Sequence, residues 1–454
     1  MKEDLRKHAM AARVIDPTFD RAAVGRRRSI RHVAFASFIG AAVEWYDFFL
    51  YGTAAALVFP KLFFPRFSPL AGTLASFATF GIGFFARPIG GVVFGHFGDR
   101  IGRKSTFVRT LILMGVATFL IGLLPTFEQI GLMAPILLIA LRFVQGLALG
   151  GEWGGATLLA FEHAPQEDRN FYTSWPQLGV SAGLALSTAV FAVFASLPEK
   201  QFFGWGWRVA FLLSAASIAL GVVIRLRVAE SPVFARVKGL GAESKTPLLE
   251  VLRDHRLAVL LAIGVVFGTM TGSYIVTTFS LSYLTQQLRV ARSVALVGNV
   301  LYSASGAASI LIFARLSDRV GKYRIAILST VCQVLFSFPF FWLLSTREPS
   351  LIWLAVIVSA VIGTPLYGVT GAILAELFVP HVRYSGISLG YQMAAMLGGA
   401  PAPIIATYLI HSSSGAPWSV ATYAASSSVI TLVAVWIASE RQSVGIDDVT
   451  SDQA

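Results

Sequence analysis

Long apolar runs separated by short polar segments repeat along the whole chain. Runs of about 20 residues are long enough for a helix to cross some 30 Å of hydrocarbon. The polar stretch 227–257 separates six such runs from a second six. The pattern therefore predicts an all-α membrane protein with 12 transmembrane helices in two six-helix, pseudo-symmetric halves. The runs lie at about 33–59, 70–94, 106–124, 133–160, 173–196, 208–226, 258–285, 294–314, 325–345, 351–375, 385–410 and 419–438.

The polar segments divide the chain into a cytosolic tail, two bundles, a cytosolic linker and a second tail. The polar, basic N-terminal stretch lacks an apolar region followed by a cleavage site, so it is not expected to be a signal peptide. The predicted bounds of these five parts are 1–32, 33–226, 227–257, 258–438 and 439–454.

The composition supports this class of protein. Of 454 residues, 55% are hydrophobic and only 13% are charged, with a net charge of +12. Basic residues concentrate in cytoplasmic loops of membrane proteins. Most Lys and Arg here fall in segments predicted to lie on the same side of the membrane as the N-terminus, so both termini are expected in the cytosol. Because the positive charge is explained in this way, nucleic-acid binding is not expected. The single cysteine, Cys332, allows no disulfide framework and no cysteine-based metal site.

Two carboxylates lie near the middle of the first apolar run. Glu44, Asp47 and Tyr51 share one helix face. Charges in hydrocarbon are costly, and two adjacent carboxylates do not both ionise easily in a dry site. Glu44 and Asp47 are therefore candidates for proton coupling. The alternative is that they pair with Arg87 or Arg142 and only hold helices together.

The fourth run carries three further polar residues on one face, Arg142, Gln145 and Glu152. Arg142 and Glu152 are too far apart along the axis to pair. An arginine fork suits a carboxylate, which makes Arg142 a candidate anion clamp and Gln145 a neighbouring contact. Glu152 is a possible second proton carrier. A structural ion pair of Arg142 with Glu44 or Asp47 is the alternative.

The second half has few buried charges but many hydroxyl and amide groups. These groups suit neutral hydrogen bonds to a substrate, whereas the alternative is hydroxyls bonded back to their own helices. The candidate substrate contacts, with Tyr51 from the first half, are Tyr274, Thr277, Tyr367, Tyr391 and Gln392.

A charged motif, Gly95-His-Phe-Gly-Asp-Arg-Ile-Gly-Arg-Lys104, has a second copy at Asp318-Arg-Val-Gly-Lys322. The motif resembles the signature loop between helices 2 and 3 of the major facilitator superfamily. Glu44-Trp-Tyr-Asp47, Phe85-Ala-Arg-Pro88 and Gly150-Gly-Glu-Trp-Gly-Gly155 are similar to the metabolite:proton symporter branch, with shikimate-type permeases most alike. The resemblance implies the major facilitator fold and two gating loops, whose residues here are Gly95, Asp99, Arg100, Gly102, Arg103, Asp318, Arg319 and Gly321.

We therefore expect secondary active import of a small polar metabolite, such as shikimate or a dicarboxylate, by proton symport with alternating access. A drug or metabolite efflux antiporter and a proline/betaine-type zwitterion symporter are the alternatives. No catalytic triad, metal cluster or phosphate loop is present, so neither an enzyme nor a cofactor is expected. The expected partners are the substrate, a proton and the lipid of the inner membrane, with the chain acting as a monomer.

Overall fold

The computed structural model describes residues 17–101, 103–150, 157–158, 160–161, 164–227, 247–379 and 382–451. Long helices fill these ranges because a chain in lipid must satisfy its backbone hydrogen bonds internally. They are α1 Pro17–Leu57, α2 Pro69–Ile101, α3 Arg103–Leu123, α4 Met133–Leu149, α5 Gln166–Ala195, α6 Glu199–Val223, α7 Arg256–Gln287, α8 Arg292–Val320, α9 Lys322–Ser345, α10 Pro349–Leu377, α11 Arg383–Ser412 and α12 Trp418–Ser451.

Within the described ranges, nine helices, α2 and α5–α12, are long and apolar enough to cross a membrane. Shorter apolar stretches occupy 108–123 of α3 and 133–149 of α4. The remaining long helix, α1, carries Glu44 and Asp47 and so departs from a purely apolar span. The predicted multi-pass, all-α architecture is confirmed.

The predicted loop 95–104 is largely wrong, because α2 continues through it to Ile101 and α3 begins at Arg103. Its second copy behaves similarly, since α8 runs to Val320 and α9 starts at Lys322. Gly321 alone separates these two helices and has φ +97°. This left-handed conformation is accessible to glycine without a Cβ clash, which explains the glycine at this break.

The helices pack in two groups. In the first, α1 packs on α5, α2 and α6. Helices α3 and α4 pack on each other, and α3 also packs on α6 and α4 on α2. In the second, α7 packs on α11 and α12. Helix α9 packs on α12 and α10, and α10 packs on α8. The two groups meet where α5 packs on α8, α2 on α11, and the later part of α1 on α7. Any route for a substrate between the groups lies among these pairs.

The outer faces of the bundle are apolar. On α2, Phe85, Ile89 and Val92 are more than half or about half exposed, at 58%, 50% and 57%. These positions share one face, and exposed apolar faces on so many helices are suited to lipid. The opposite face of α2 carries Gly83, Arg87 and Gly90 and points into the protein.

Three helices contain π-helical turns, among them α6, whose turn is Phe202–Gly206. Those of α7 are Ile275–Phe279 and Tyr283–Gln287, and that of α11 is Ala395–Gly399. Such turns accommodate one extra residue and often occur at functional sites. The first turn of α7 follows directly after Tyr274, which faces the space between the halves.

Candidate functional site between the two helix groups

A cavity lies between the two helix groups. Helices α1 and α5 line it from one side, and α7, α8, α10 and α11 from the other. About 60 Å³ of it is open to the centres of water-sized molecules, enough for a few ordered waters. Within the described part of the chain, no Asp, Glu, Lys, Arg or His lines it. Its wall includes the rings of Trp45, Phe49, Tyr274, Tyr302, Tyr367 and Tyr391 and the hydroxyls of Ser181, Thr269, Ser273, Thr277, Ser303 and Thr364.

Four of the predicted substrate contacts lie on this wall, namely Tyr274, Thr277, Tyr367 and Tyr391. The hydroxyl oxygens of Tyr367 and Tyr391 are 3.3 Å apart, which links α10 with α11. The hydroxyl of Thr277 donates to the carbonyl oxygen of Ser273 at 2.7 Å. That bond within the helix leaves the Thr277 oxygen as an acceptor, so its local bonding is compatible with a place on the cavity wall.

Gln392 contacts the other helix group instead of the cavity. Its side-chain nitrogen donates to the carbonyl oxygen of Gly150 at 3.2 Å. Its side-chain oxygen is buried without a hydrogen-bond partner. Because Gly150 follows the last residue of α4, this bond joins the two groups near one end of the bundle.

Arg142 is buried inside the first helix group and does not line the cavity. Its guanidinium carbon lies 4.3 Å from the ring centres of both Phe48 and Tyr51. Its Nε donates to the carbonyl oxygen of Phe80 at 3.3 Å, and its Nη1 donates to Oε1 of Gln145 at 3.0 Å. The charge is thus held by aromatic faces and neutral oxygens, as cation–π geometry allows.

A chain of hydrogen bonds leads from Arg142 towards Asp47. Nε2 of Gln145 donates to the Thr118 hydroxyl at 2.8 Å. That hydroxyl contacts the Asp47 carboxyl group and also donates to the carbonyl oxygen of Met114 at 2.9 Å. Oδ1 of Asp47 is buried without a partner. Among the described residues, Arg142 and Asp47 are therefore connected through two neutral side chains and form no ion pair, unlike the structural alternative considered above.

The other predicted proton-coupling residues lie in different surroundings. Glu44 is buried near Asp47 on α1, with 5% of its surface exposed. Tyr51, a predicted substrate contact on the same helix, is not among the residues that line the cavity. It is fully buried, and its hydroxyl donates to Oγ1 of Thr79 at 2.8 Å. Glu152 lies outside the described residues. The shared face predicted for α1 is therefore an inward face.

Arg87 is the residue that the sequence reasoning left out of the site. Its guanidinium is buried, 4.3 Å from the ring centre of Phe48 and 4.4 Å from that of Phe84. It is hydrogen-bonded to Tyr274 of the other helix group, while its Nε and Nη2 have no partner. Arg87 therefore stands directly behind a cavity residue. The available signal was a lone arginine within an apolar run.

Glycines bring α2 and α4 into backbone contact. A Cβ at Gly150 would overlap the carbonyl oxygen of Arg87, and one at Gly90 would overlap that of Leu147. A Cβ at Gly83 would stand 2.5 Å from Nε of Arg142. Small residues allow such close helix crossings in lipid, and here they also make the space in which Arg142 lies.

At one end of the bundle, Asp318 joins the two groups. Its two carboxylate oxygens accept hydrogen bonds from the backbone N–H groups of Asn170 and Phe171, at 2.9 and 3.1 Å. The carboxylate of Asp318 therefore lies at the first turns of a helix of the other group, where the helix dipole favours a negative charge. Arg319 lies in the same last turn of α8, and Gly321 forms the break that follows.

The first copy of the motif occupies the equivalent ends of α2 and α3. Gly95, Asp99 and Arg100 lie on the last turns of α2, and Arg103 is the first residue of α3. Gly102 lies outside the described residues.

The opposite end of the bundle is also held across the groups. The Gln286 side chain donates to the carbonyl oxygen of Ala56 at 3.1 Å and accepts from the Thr73 hydroxyl at 3.0 Å. Arg292, at the start of α8, pairs with Glu199 of α6 at 3.3 Å. Contacts therefore connect the two groups on both sides of the cavity.

Comparison with known proteins decides the family. A family model described as Major Facilitator Superfamily matches residues 34–400. The chain belongs to the major facilitator superfamily. Members of this superfamily are transporters, so this facilitator is a multi-pass membrane transporter and not an enzyme.

The facilitator's relatives are metabolite transporters by name. It is 41% identical to the shikimate transporter of Escherichia coli K12 over 418 residues, covering 91% of this chain and 95% of the relative. It is 40% identical to the inner membrane metabolite transport protein YhjE of the same organism over 416 residues, covering 90% and 94%. The predicted resemblance to shikimate-type permeases is confirmed.

A more distant relative and a solved structure complete the comparison. The proline/betaine transporter of Salmonella typhimurium is 30% identical over 85% of this chain and 78% of its own length. The crystal structure of a D-xylose-proton symporter superposes with a TM-score of 0.69 at 16% identity, covering 90% of this chain and 97% of the other. At that identity the match shows the fold alone.

Proposed function

We propose that this facilitator imports a small polar metabolite with a carboxylate group by proton symport through alternating access. The observation that carries the proposal is the contact of buried Arg87 with Tyr274. It places a guanidinium with two unpartnered nitrogens next to an uncharged cavity between the helix groups. A carboxylate is the partner that such a fork binds best.

The rest of the substrate is proposed to lie against rings and hydroxyls. Tyr274, Tyr367 and Tyr391 offer donors and flat apolar faces on one side of the cavity, and Trp45 offers a ring on the other. This wall suits a hydroxylated ring acid. The name of the E. coli shikimate transporter supports the same class of cargo.

In this proposal Arg142 belongs to the proton-coupling machinery instead of the substrate clamp. The route from Arg142 through Gln145 and Thr118 ends at Asp47, whose Oδ1 lacks a partner. Asp47 takes and releases the proton, and its charge state reaches Arg142 through the two neutral side chains. Glu44 lies close enough along α1 to share the role, and Glu152 keeps the role suggested by the sequence.

Alternating access is proposed to break the contacts at one end of the cavity at a time. The Asp318 bonds to Asn170 and Phe171 close one end, and the Gln286 and Arg292 contacts close the other. With both termini in the cytosol, as the distribution of basic residues predicts, the Asp318 end is cytosolic. The bacterial inner membrane is the proposed location, and one chain suffices for the route.

Uptake into proteoliposomes tests this proposal. Matched vesicles that contain the purified protein are given a pH gradient with either an acidic or an alkaline exterior. Labelled shikimate, a dicarboxylate and a betaine are then offered in turn. The proposal expects carboxylate accumulation only with an acidic exterior, and its loss on adding a protonophore. Accumulation that ignores the direction of the pH gradient would refute proton symport.

A zwitterion is the second candidate, because the aromatic rings around the cavity also suit a quaternary ammonium group. Six rings line the cavity in the absence of any lining carboxylate among the described residues. The proline/betaine relative supports this reading. Betaine uptake that exceeds carboxylate uptake in the same vesicles would select it.

A further inference from the structure

A second cavity lies inside the second helix group, bounded by α7, α8, α9, α10 and α12. We call it the side chamber. It has about 60 Å³ open to the centres of water-sized molecules. It shares Thr269, Ser273, Tyr302 and Gly363 with the central cavity, so the two spaces adjoin. Because α9 and α12 do not line the central cavity, the chamber extends the site away from the interface between the groups.

Gln333 of α9 lines the side chamber next to Gly363, which both spaces share. Its side-chain nitrogen makes only long contacts with Ser329, at 3.5 Å to the carbonyl oxygen and 3.4 Å to the hydroxyl. Its Oε1 lies 4.0 Å and 3.9 Å from the points where a Cβ of Gly272 and of Gly363 would stand. The two glycines therefore leave open the space that this oxygen faces.

The chamber offers hydrogen bonds but no charge. The Oγ1 of Thr269, a residue with 6% exposure, is buried and has no partner. The hydroxyls of Ser337 and Ser428 donate to carbonyl oxygens of their own helices, at 2.8 and 3.0 Å, which leaves their oxygens as acceptors. No Asp, Glu, Lys, Arg or His is among its described lining residues. An ion placed there would lose its hydration without a counter-charge, whereas a hydroxyl group would satisfy Thr269 and the acceptors.

We propose that the side chamber binds the uncharged, hydroxyl-bearing end of the transported molecule, while its carboxylate meets Arg87. The proposal rests on the proposed carboxylate transport and adds the part of the protein that selects among carboxylates. Gln333 and Thr269 supply the acceptor and the free hydroxyl. The rings of Phe336 and Phe340 add apolar surface to the wall of the chamber.

The experiment compares two acids that differ only in hydroxyl groups, shikimate and cyclohexene carboxylate, as competitors and as labelled substrates in proteoliposomes. Gln333→Leu removes the acceptor at similar volume. Gly363→Ala adds a methyl group at the mouth, where its nearest neighbour is Gln333 at an ordinary 3.8 Å. Gly298→Ala is the matched control, because its methyl group also meets its nearest atom at 3.8 Å but lies outside both cavities.

For either chamber variant, the apparent affinity for shikimate is expected to fall about three- to tenfold, as for the loss of a neutral hydrogen bond. The affinity for cyclohexene carboxylate should stay unchanged in Gln333→Leu. In Gly363→Ala, whose methyl group also borders the central cavity, it should fall less than the affinity for shikimate. Uptake of this acid also shows that the variant folds. Should Gln333→Leu lose all uptake, Gly363→Ala decides the question.

The two proposals fail in different ways. If both acids weaken equally, or neither weakens, the side chamber does not bind hydroxyl groups, and carboxylate transport still stands. If the unmodified protein takes up none of the carboxylates offered in the proteoliposome test, the dicarboxylate included, carboxylate transport itself is refuted, and the chamber proposal falls with it.

Discussion

Replacing one buried arginine at a time should show which of them binds the substrate's anionic group. Arg87 and Arg142 are equally buried, and both lie 4.3 Å from the ring centre of Phe48. Only Arg87 is hydrogen-bonded to a residue of the cavity wall, Tyr274. Arg87→Met keeps a long apolar side chain and removes the fork, and Arg142→Met is its matched control.

The expected magnitude follows from charge-assisted hydrogen bonding. A bond to a charged group contributes about 1.5–3 kcal/mol, which corresponds to about 10–150-fold in affinity. Arg87→Met should therefore raise the half-saturation concentration for a carboxylate by about that factor. For the primary amide of the same acid, which has no negative charge, the change should be less than about threefold because only neutral bonds are lost.

The assay measures competition by the acid and by its amide against labelled substrate, without a pH gradient, so that binding is separated from proton coupling. Arg87→Lys should restore part of the affinity for the acid, since the charge returns without the planar fork. Equal losses for acid and amide in Arg87→Met would refute the assignment. If only Arg142→Met weakens binding of the acid more than binding of the amide, Arg142 is the residue that binds the anionic group.

Three further outcomes are expected. Asp47→Asn should abolish accumulation driven by a pH gradient while exchange of labelled substrate at equal pH persists; loss of both would indicate a structural role. Asp318→Ala should speed hydrogen exchange of the backbone amides of Asn170 and Phe171 by about tenfold or more, because their charged acceptor is lost. Unchanged exchange would contradict the role of Asp318 in joining the two helix groups. Gly150→Ala should lower the free energy of unfolding in detergent by about 1–3 kcal/mol, because α2 and α4 must separate. Gly91→Ala should lower it less, because its methyl group would meet its nearest atom at 3.3 Å. Equal losses would refute the argument that Gly150 is needed for the close crossing of α2 and α4.

Hydropathy along the chain was sufficient to predict the helices, because each apolar run must satisfy its own backbone in lipid. It failed at the ends of α2 and α8, where polar residues such as Asp99 and Asp318 were expected in loops but lie on helical turns. Helix continuation depends on backbone bonding and capping, which polarity alone does not reveal. The predicted domain boundaries stay predictions.

The candidate site was predicted less completely. Tyr274, Tyr367 and Tyr391 were identified as uncharged contacts and do line the cavity. Arg142 was identified as the clamp because it shares a helix face with Gln145 and Glu152, whereas Arg87 was considered only as a partner of the carboxylates on α1. Which arginine approaches the cavity depends on how α2 and α4 are rotated against their neighbours, and this rotation is fixed by distant glycine contacts that local sequence does not contain.

The two π-helical turns of α7 have a mechanical consequence for the cavity wall. Each holds one residue more than an α-helical turn. Converting one of them to α-helix would turn the segment beyond it by about 100° and advance it by about 1.5 Å relative to the rest of the helix. Tyr274 precedes the first turn and Gln286 lies within the second, so converting the first turn would rotate Gln286 relative to Tyr274 without breaking the helix. Such a conversion would thus change the orientation of the Tyr274 ring at the cavity relative to the Gln286 contact at the end of the bundle.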